Sequence, residues 1–105
     1  MNKVIKKIKK QIESSNIIIY IKGTPKSPMC LFSKKSLNYL IYSKINFNYV
    51  NILENPDIHL ELPFFSKWPT FPQIWINCKF IGGFDIIQDL YIKGNLIKIL
   101  KNIYF

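Results

Sequence analysis

The chain has 105 residues, 49% of them hydrophobic, with fifteen basic residues against six acidic ones and a formal net charge of +9. That length suits one domain spanning residues 1–105 with a modest core of its own. The composition excludes a disordered tail, and two cysteines are too few for a disulfide-built secreted module, which points to a reducing compartment.

Every basic residue is Lys; Arg and Ala are absent, while Ile, Asn, Tyr and Phe are abundant. Those abundant residues have A/T-rich codons, so mutational drift accounts for the lysine excess without a nucleic-acid partner. Readers of base edges favour Arg, and no lysine run is interleaved with aromatics as a single-strand platform requires. The longest apolar run, Ile17–Ile21, is far too short for a membrane span or a signal-peptide core. The lysine-rich N-terminus carries Glu13 and the apolar spacing Val4, Ile5, Ile8, Ile12 of a docked helix, unlike a transit peptide. A cytoplasmic protein with neither a nucleic-acid nor a membrane partner is expected.

In chain order, residues 3–14 predict an amphipathic helix and 16–21 a buried strand. A loop with one glycine and two prolines follows over 23–28. A helix begins just after Cys30 and runs to about Ser43, with Leu37, Leu40 and Ile41 expected on its inner face. Residues 47–52 predict a second strand. Asn55-Pro56-Asp57 opens another helix, with Pro in the first turn and an acid near the positive end, and this helix ends before Trp68-Pro69. Residues 73–76 and 79–81 predict a hairpin across Asn77-Cys78, stopped by Gly82-Gly83. Residues 85–91 and 96–102 predict terminal helices separated by Gly94. Helices alternating with strands and closed by a hairpin indicate an α/β fold with a mixed sheet.

Three stretches carry chemistry. In Pro28-Met29-Cys30-Leu31-Phe32-Ser33, a thiol is followed three residues later by a hydroxyl where a dithiol motif has a second cysteine. Ser33 cannot close a disulfide, so the chemistry of Cys30 must finish on a small thiol, another chain or a metal. A cysteine at a strand-to-helix junction, flanked by Lys22, Lys26, Lys34 and Lys35, favours a reactive thiolate over a buried, inert thiol. In Trp68-Pro69-Thr70-Phe71-Pro72, two prolines exclude a helix, and Phe71-Pro72 is either a rigid trans turn, which base rates favour, or a cis bond. In Gly82-Gly83-Phe84-Asp85, Asp85 either caps the next helix or, with the backbone N–H groups, forms a groove floor for a zwitterion. Cys78 is read as a tolerated, exposed cysteine rather than a resolving thiol.

Together these residues resemble the monothiol glutaredoxins of the thioredoxin-fold superfamily, in particular the short, single-domain bacterial type. Lys22-Gly-Thr-Pro-Lys, Pro28-x-Cys-x-Phe-Ser33, Asn55-Pro-Asp-Ile58, Trp68-Pro-Thr-Phe-Pro72 and Gly82-Gly-x-Asp85 stand in the family's order and spacing. The resemblance implies a thioredoxin-like, four-stranded mixed β-sheet flanked by helices, and a cis bond at Pro72. It implies glutathione and a 2Fe-2S cluster shared between two chains of a homodimer as cofactors. A BolA-type protein and iron-sulfur apo-protein clients would be the partners, in cluster storage and delivery. Under it, Cys30 would ligate iron or act as the nucleophile, and Lys22 would meet the glycyl carboxylate of glutathione. Thr70, Phe71 and Pro72 would meet its cysteinyl backbone, and Gly83, Phe84 and Asp85 its γ-glutamyl end. The alternative is a glutathione-dependent thiol–disulfide oxidoreductase that removes glutathione through a mixed disulfide on Cys30, so enzymatic activity stays open.

Three positions depart from the family's usual residues. Leu31 stands where Gly is common, and its side chain would fix Cys30 or crowd a dimer. His59 stands where Arg often meets the glycyl carboxylate; a weaker carboxylate partner and a plain helix-surface residue are equally good readings. Phe84 stands where Cys or Ser is common and offers only its backbone N–H.

Overall fold

A computed structural model of the chain describes residues 2–104, with side chains described as far as Ile99. The order of elements is α1 (Lys3–Glu13), β1 (Ile17–Ile21), α2 (Leu31–Tyr42), β2 (Asn48–Asn51), α3 (Pro56–Ser66), β3 (Gln73–Ile76), β4 (Lys79–Gly82), α4 (Phe84–Ile92) and α5 (Asn95–Tyr104). Each element falls where the sequence places it, within two residues at either end. Among the described residues no helix is long and apolar enough to cross a membrane.

The four strands form one sheet in the order β2-β1-β3-β4. β1 pairs with β2 in parallel and with β3 antiparallel, and β3 pairs antiparallel with β4, so the sheet is mixed. β1 is central and buried on both faces, as its four isoleucines and one tyrosine require. Successive side chains alternate between faces. Ile17, Ile19 and Ile21 enter a core with Leu37 and Leu40 of α2, Ile74 and Ile76 of β3, Ile87 of α4 and Leu96 of α5. Ile18 and Tyr20 enter the opposite core with Ile8 and Ile12 of α1, Ile52 just after β2, Ile58 and Leu62 of α3, and Trp75 of β3. Each fully buried aliphatic side chain contributes about 1.5–3 kcal/mol relative to exposure.

Two local expectations are corrected. Ile41 is 49% exposed. The buried stripe of α2 runs through Ser33, Ser36, Leu37 and Leu40, and Ile41 falls beyond its edge. Asp85 is not the cap of α4: Gly83 is, with no side-chain cap bond, and its carbonyl accepts the Ile87 N–H at 3.1 Å. Asp85 instead lies in the first turn, where a carboxylate meets the positive end of the helix.

The topology brings the chemistry-bearing loops to one end of the sheet. β1 ends at Ile21, and its antiparallel neighbour β3 begins at Gln73 opposite Tyr20. The end of β4, Gly82, pairs with Ile74. The β3–β4 turn lies at the other end, where the Asn77 N–H donates to Asn16 C=O at 2.8 Å. Asn77 and Cys78 both have positive φ, 50° and 66°, as a two-residue hairpin turn of the primed type demands.

Candidate functional site

An open cleft of about 610 Å³ lies at that end, lined by residues of four loops or helix starts. Lys22 and Cys30 come from the β1–α2 connection, and Thr70 and Phe71 from the α3–β3 connection. Gly83, Phe84 and Asp85 come from the start of α4, and His59 from α3. All of these were singled out in the sequence. Of the site residues read there, only Pro72 lies outside the lining: it is buried behind it, and the Phe71–Pro72 bond is cis.

The β1–α2 loop is folded tightly. Thr24 and Ser27 exchange backbone hydrogen bonds at 3.2 and 3.1 Å, and Met29 N–H donates to Lys22 C=O at 2.9 Å. Gly23, at φ +98°, sits where a Cβ would lie 2.5 Å from Ser27 C=O, so only glycine fits. The buried Asn51 side chain anchors the loop to β2 by accepting the Gly23 N–H at 2.9 Å and the Leu53 N–H at 3.0 Å.

This loop delivers Cys30 in extended conformation to the cap position of α2. The thiol is half-buried, and that burial pushes its pKa up. The N–H groups of Ser33 and Phe32, the Ser33 hydroxyl and the Lys22 charge outweigh it and hold the thiol below the ordinary thiol range. Ser33 is fully buried, and its oxygen accepts the Lys22 N–H at 3.2 Å, which leaves its single proton for the Cys30 sulfur. The sequence treats Ser33 only as a missing thiol; its role in supporting the Cys30 thiolate appears once Lys22, eleven residues away, is seen beside it.

The opposite walls are aromatic. The Phe84 and Phe32 rings stand 5.0 Å apart, and His59 meets Phe71 edge-on at 5.4 Å. Trp68, Pro69, Phe32 and Pro63 also line the cleft. Pro63 passes unremarked in a sequence reading because α3 runs through it; having no N–H, it leaves the His59 carbonyl without its usual helical donor. Asp85 is exposed and, among the described residues, makes no ion pair. The cleft thus brings a thiol, a cation and a carboxylate together in one lining.

Leu31 is 59% exposed and is not part of the cleft lining. With Met29, 68% exposed, and Phe32, 50% exposed and itself part of the cleft lining, it forms an exposed apolar rim. Cys78 is exposed at the opposite end of the sheet. The five residues of β1 separate the two ends by about 13 Å at the usual rise of a strand, too far for a disulfide with Cys30.

Known proteins are similar to this chain in sequence and fold. The glutaredoxin family model matches residues 17–81, from the start of β1 into β4. Glutaredoxin 4 of Buchnera aphidicola subsp. Baizongia pistaciae is 48% identical, over 96% of this chain and 94% of its own length. Glutaredoxin 4 of Haemophilus ducreyi is 50% identical over 92% of this chain and 91% of its own. The solution structure of a monomeric truncated mutant of Trypanosoma brucei 1-C-Grx1 superposes with a TM-score of 0.85 at 32% identity, covering 97% of this chain and 93% of that one. The match of sequence over nearly the whole length, on a thioredoxin-like sheet that presents Cys30 at the head of α2, means that the chain belongs to the glutaredoxin family.

Proposed function

We propose that this glutaredoxin binds glutathione in the cleft around Cys30 and, as a pair of chains, carries a 2Fe-2S cluster as cargo for iron-sulfur proteins. The observation that carries the reading is Cys30 itself: an accessible thiol held below the ordinary range, with a buried hydroxyl in place of a resolving thiol. A soft thiolate suits iron and sulfide. Among the described residues no group of three His, Cys, Asp or Glu gathers to hold a metal. With Cys78 at the other end of the sheet, one chain offers one cysteine thiolate here, and four-sulfur ligation would draw on two Cys30 thiolates and two glutathione thiolates.

The walls suit the tripeptide. Lys22 and His59 would meet the glycyl carboxylate, the backbone of Thr70 and Phe71 the cysteinyl residue, and Gly83, Phe84 and Asp85 the γ-glutamyl end. Cation faces carboxylate and carboxylate faces ammonium. The exposed apolar rim of Met29, Leu31 and Phe32 supports contact with a second chain, with a BolA-type partner, or with the apo-proteins that receive the cluster. The low cysteine content supports work in the cytoplasm.

A second reading has its own support. A thiol of lowered pKa without a resolving partner also suits removal of glutathione from a mixed disulfide, with Cys30 as nucleophile and a second glutathione closing the cycle.

Anaerobic reconstitution with iron, sulfide and glutathione tests the first reading. A coloured, glutathione-dependent dimer is expected from the wild type and from Cys78→Ser, and none from Cys30→Ser. Visible absorbance retained in Cys30→Ser rejects the assignment. Turnover of a glutathionylated peptide without any cluster binding favours the oxidoreductase.

A further inference from the structure

Gln73, the first residue of β3, is fully buried. Its Nε2 donates to the Trp68 carbonyl at 3.0 Å and to the Thr70 carbonyl at 3.3 Å. Both amide protons are thereby used, while Oε1 has no partner among the described residues. Reversing the amide would set Oε1 against two carbonyl oxygens, so chemistry fixes this orientation.

The two carbonyls belong to the loop that walls the cleft at Trp68, Pro69, Thr70 and Phe71. The cis bond is Phe71–Pro72, so the Thr70–Phe71 peptide is trans. A trans peptide carries its C=O and N–H on opposite sides. Holding the Thr70 C=O inward against Gln73 therefore turns the Phe71 N–H the other way, toward the cleft. Among the described residues that N–H makes no hydrogen bond. It is a free backbone donor on a wall whose orientation is set from behind.

We propose that Gln73 is a positioning residue that, through the Trp68 and Thr70 carbonyls, aims the Phe71 N–H at a main-chain carbonyl of the thiol peptide bound at Cys30. The inference rests on the glutathione reading and deepens it. Its consequence is selectivity rather than reactivity. Gln73 makes no contact with the sulfur; it decides how well Cys30 distinguishes a thiol that carries a peptide backbone from one that does not.

The test uses the full chain in a Cys78→Ser background, so that only Cys30 reacts. Wild-type Gln73 and Gln73→Met are equilibrated with glutathione disulfide and glutathione, and separately with hydroxyethyl disulfide and 2-mercaptoethanol. In each case the Cys30 thiolate attacks one sulfur and forms a new S–S bond. The old S–S bond breaks, Cys30 is oxidised as the reagent disulfide is reduced, and the departing thiolate takes a proton from solvent. Intact mass reads the fraction modified. Loss of one aligned hydrogen bond should cut the preference for glutathione by about tenfold in Gln73→Met, leaving the 2-mercaptoethanol equilibrium unchanged. A folded Gln73→Met variant that keeps the full preference overturns the proposal.

Amide exchange in the wild type decides the matter if that variant does not fold. The Phe71 N–H should exchange at least about tenfold more slowly with glutathione on Cys30 than with 2-mercaptoethanol there, as expected for a donor engaged only by the peptide. Equal exchange in both adducts overturns the proposal. A wild type with no preference for glutathione at all brings down the glutathione reading first, and the role of Gln73 with it.

Discussion

Cys30 owes its character to its neighbours. Partial burial alone would raise its pKa; the Ser33 and Phe32 N–H groups, the Ser33 hydroxyl and the Lys22 charge reverse that. Its alkylation rate against pH should therefore have a midpoint below that of an ordinary thiol, and Ser33→Ala should move the midpoint up. An unmoved midpoint would mean that the hydroxyl serves Lys22 alone. The same shift has a sign for stability. Because folding lowers this pKa, the Cys30 contribution is fully present above the thiol pKa of the unfolded chain and fades as pH falls through the lower folded value. The gap in urea midpoint between wild type and Cys30→Ser should narrow accordingly as pH is lowered. His59, on the same cleft, permits a gain-of-function test. Arg carries a permanent charge on a planar fork, which imidazole lacks. If the glycyl carboxylate lies there, His59→Arg should tighten glutathione binding by up to about fivefold, near the ~1 kcal/mol ceiling of an exposed ion pair, as read by calorimetry. An unchanged affinity would place the carboxylate elsewhere and leave His59 as a helix-surface residue.

Elements meet at Gly83, which caps α4 and forms part of the cleft lining. A Cβ added there would sit 2.9 Å from the Trp68 indole nitrogen and 3.3 Å from the Pro72 carbonyl. Gly83→Ala must push the indole off the start of α4, at a cost of roughly 1–3 kcal/mol for overpacking. A lower urea midpoint at unchanged slope is the expected result; an unchanged midpoint would mean that Trp68 swings aside freely. The contrast with β1 explains what the sequence reveals at this scale. Four isoleucines and a tyrosine in a run of five, too short for a helix and rich in β-branched residues, favour a strand buried on both faces. The apolar spacing of α1 likewise identifies its docked face through Ile8 and Ile12. The motif residues around Cys30, Phe71 and Asp85 stand out locally as short runs of breakers, but their reading as one site comes from the resemblance of the motifs, in order and spacing, to the monothiol glutaredoxins. Properties that depend on distant contacts are not legible: Ser33 against Lys22, Gln73 behind Thr70, the failure of Asp85 to cap α4, and the separation of Cys78 from Cys30. Local pattern records which side chains are present and what their neighbours in the chain are, whereas these features are set by which loop the sheet folds against them.

For the whole molecule, charge and shape act together on assembly. Each copy carries +9, so two bare chains repel until salt screens them over a Debye length of about 8 Å at physiological ionic strength. On the proposed cluster-carrier reading, anionic glutathione and thiolates placed between the chains would offset that repulsion, so the pair should form only with its cargo. If the proposed pair meets at the cleft mouths, Leu31 would stand on the meeting surface. It is 59% exposed at the first position of α2, next to Cys30 and outside the cleft lining, so it neither packs the core nor walls in the thiol. In such a pair a bulky side chain there would keep two clefts apart more than it would shield either one. Leu31→Gly should therefore lengthen the lifetime of a reconstituted cluster, followed as absorbance decay in air. It should also lower stability by roughly 0.5–1 kcal/mol, because glycine frees the first turn of the unfolded helix. A shorter lifetime would mean that Leu31 shields the cluster from water instead. No change in lifetime, with the stability loss present, would place Leu31 outside the meeting surface and leave Met29 and Phe32 as the apolar rim that a partner contacts.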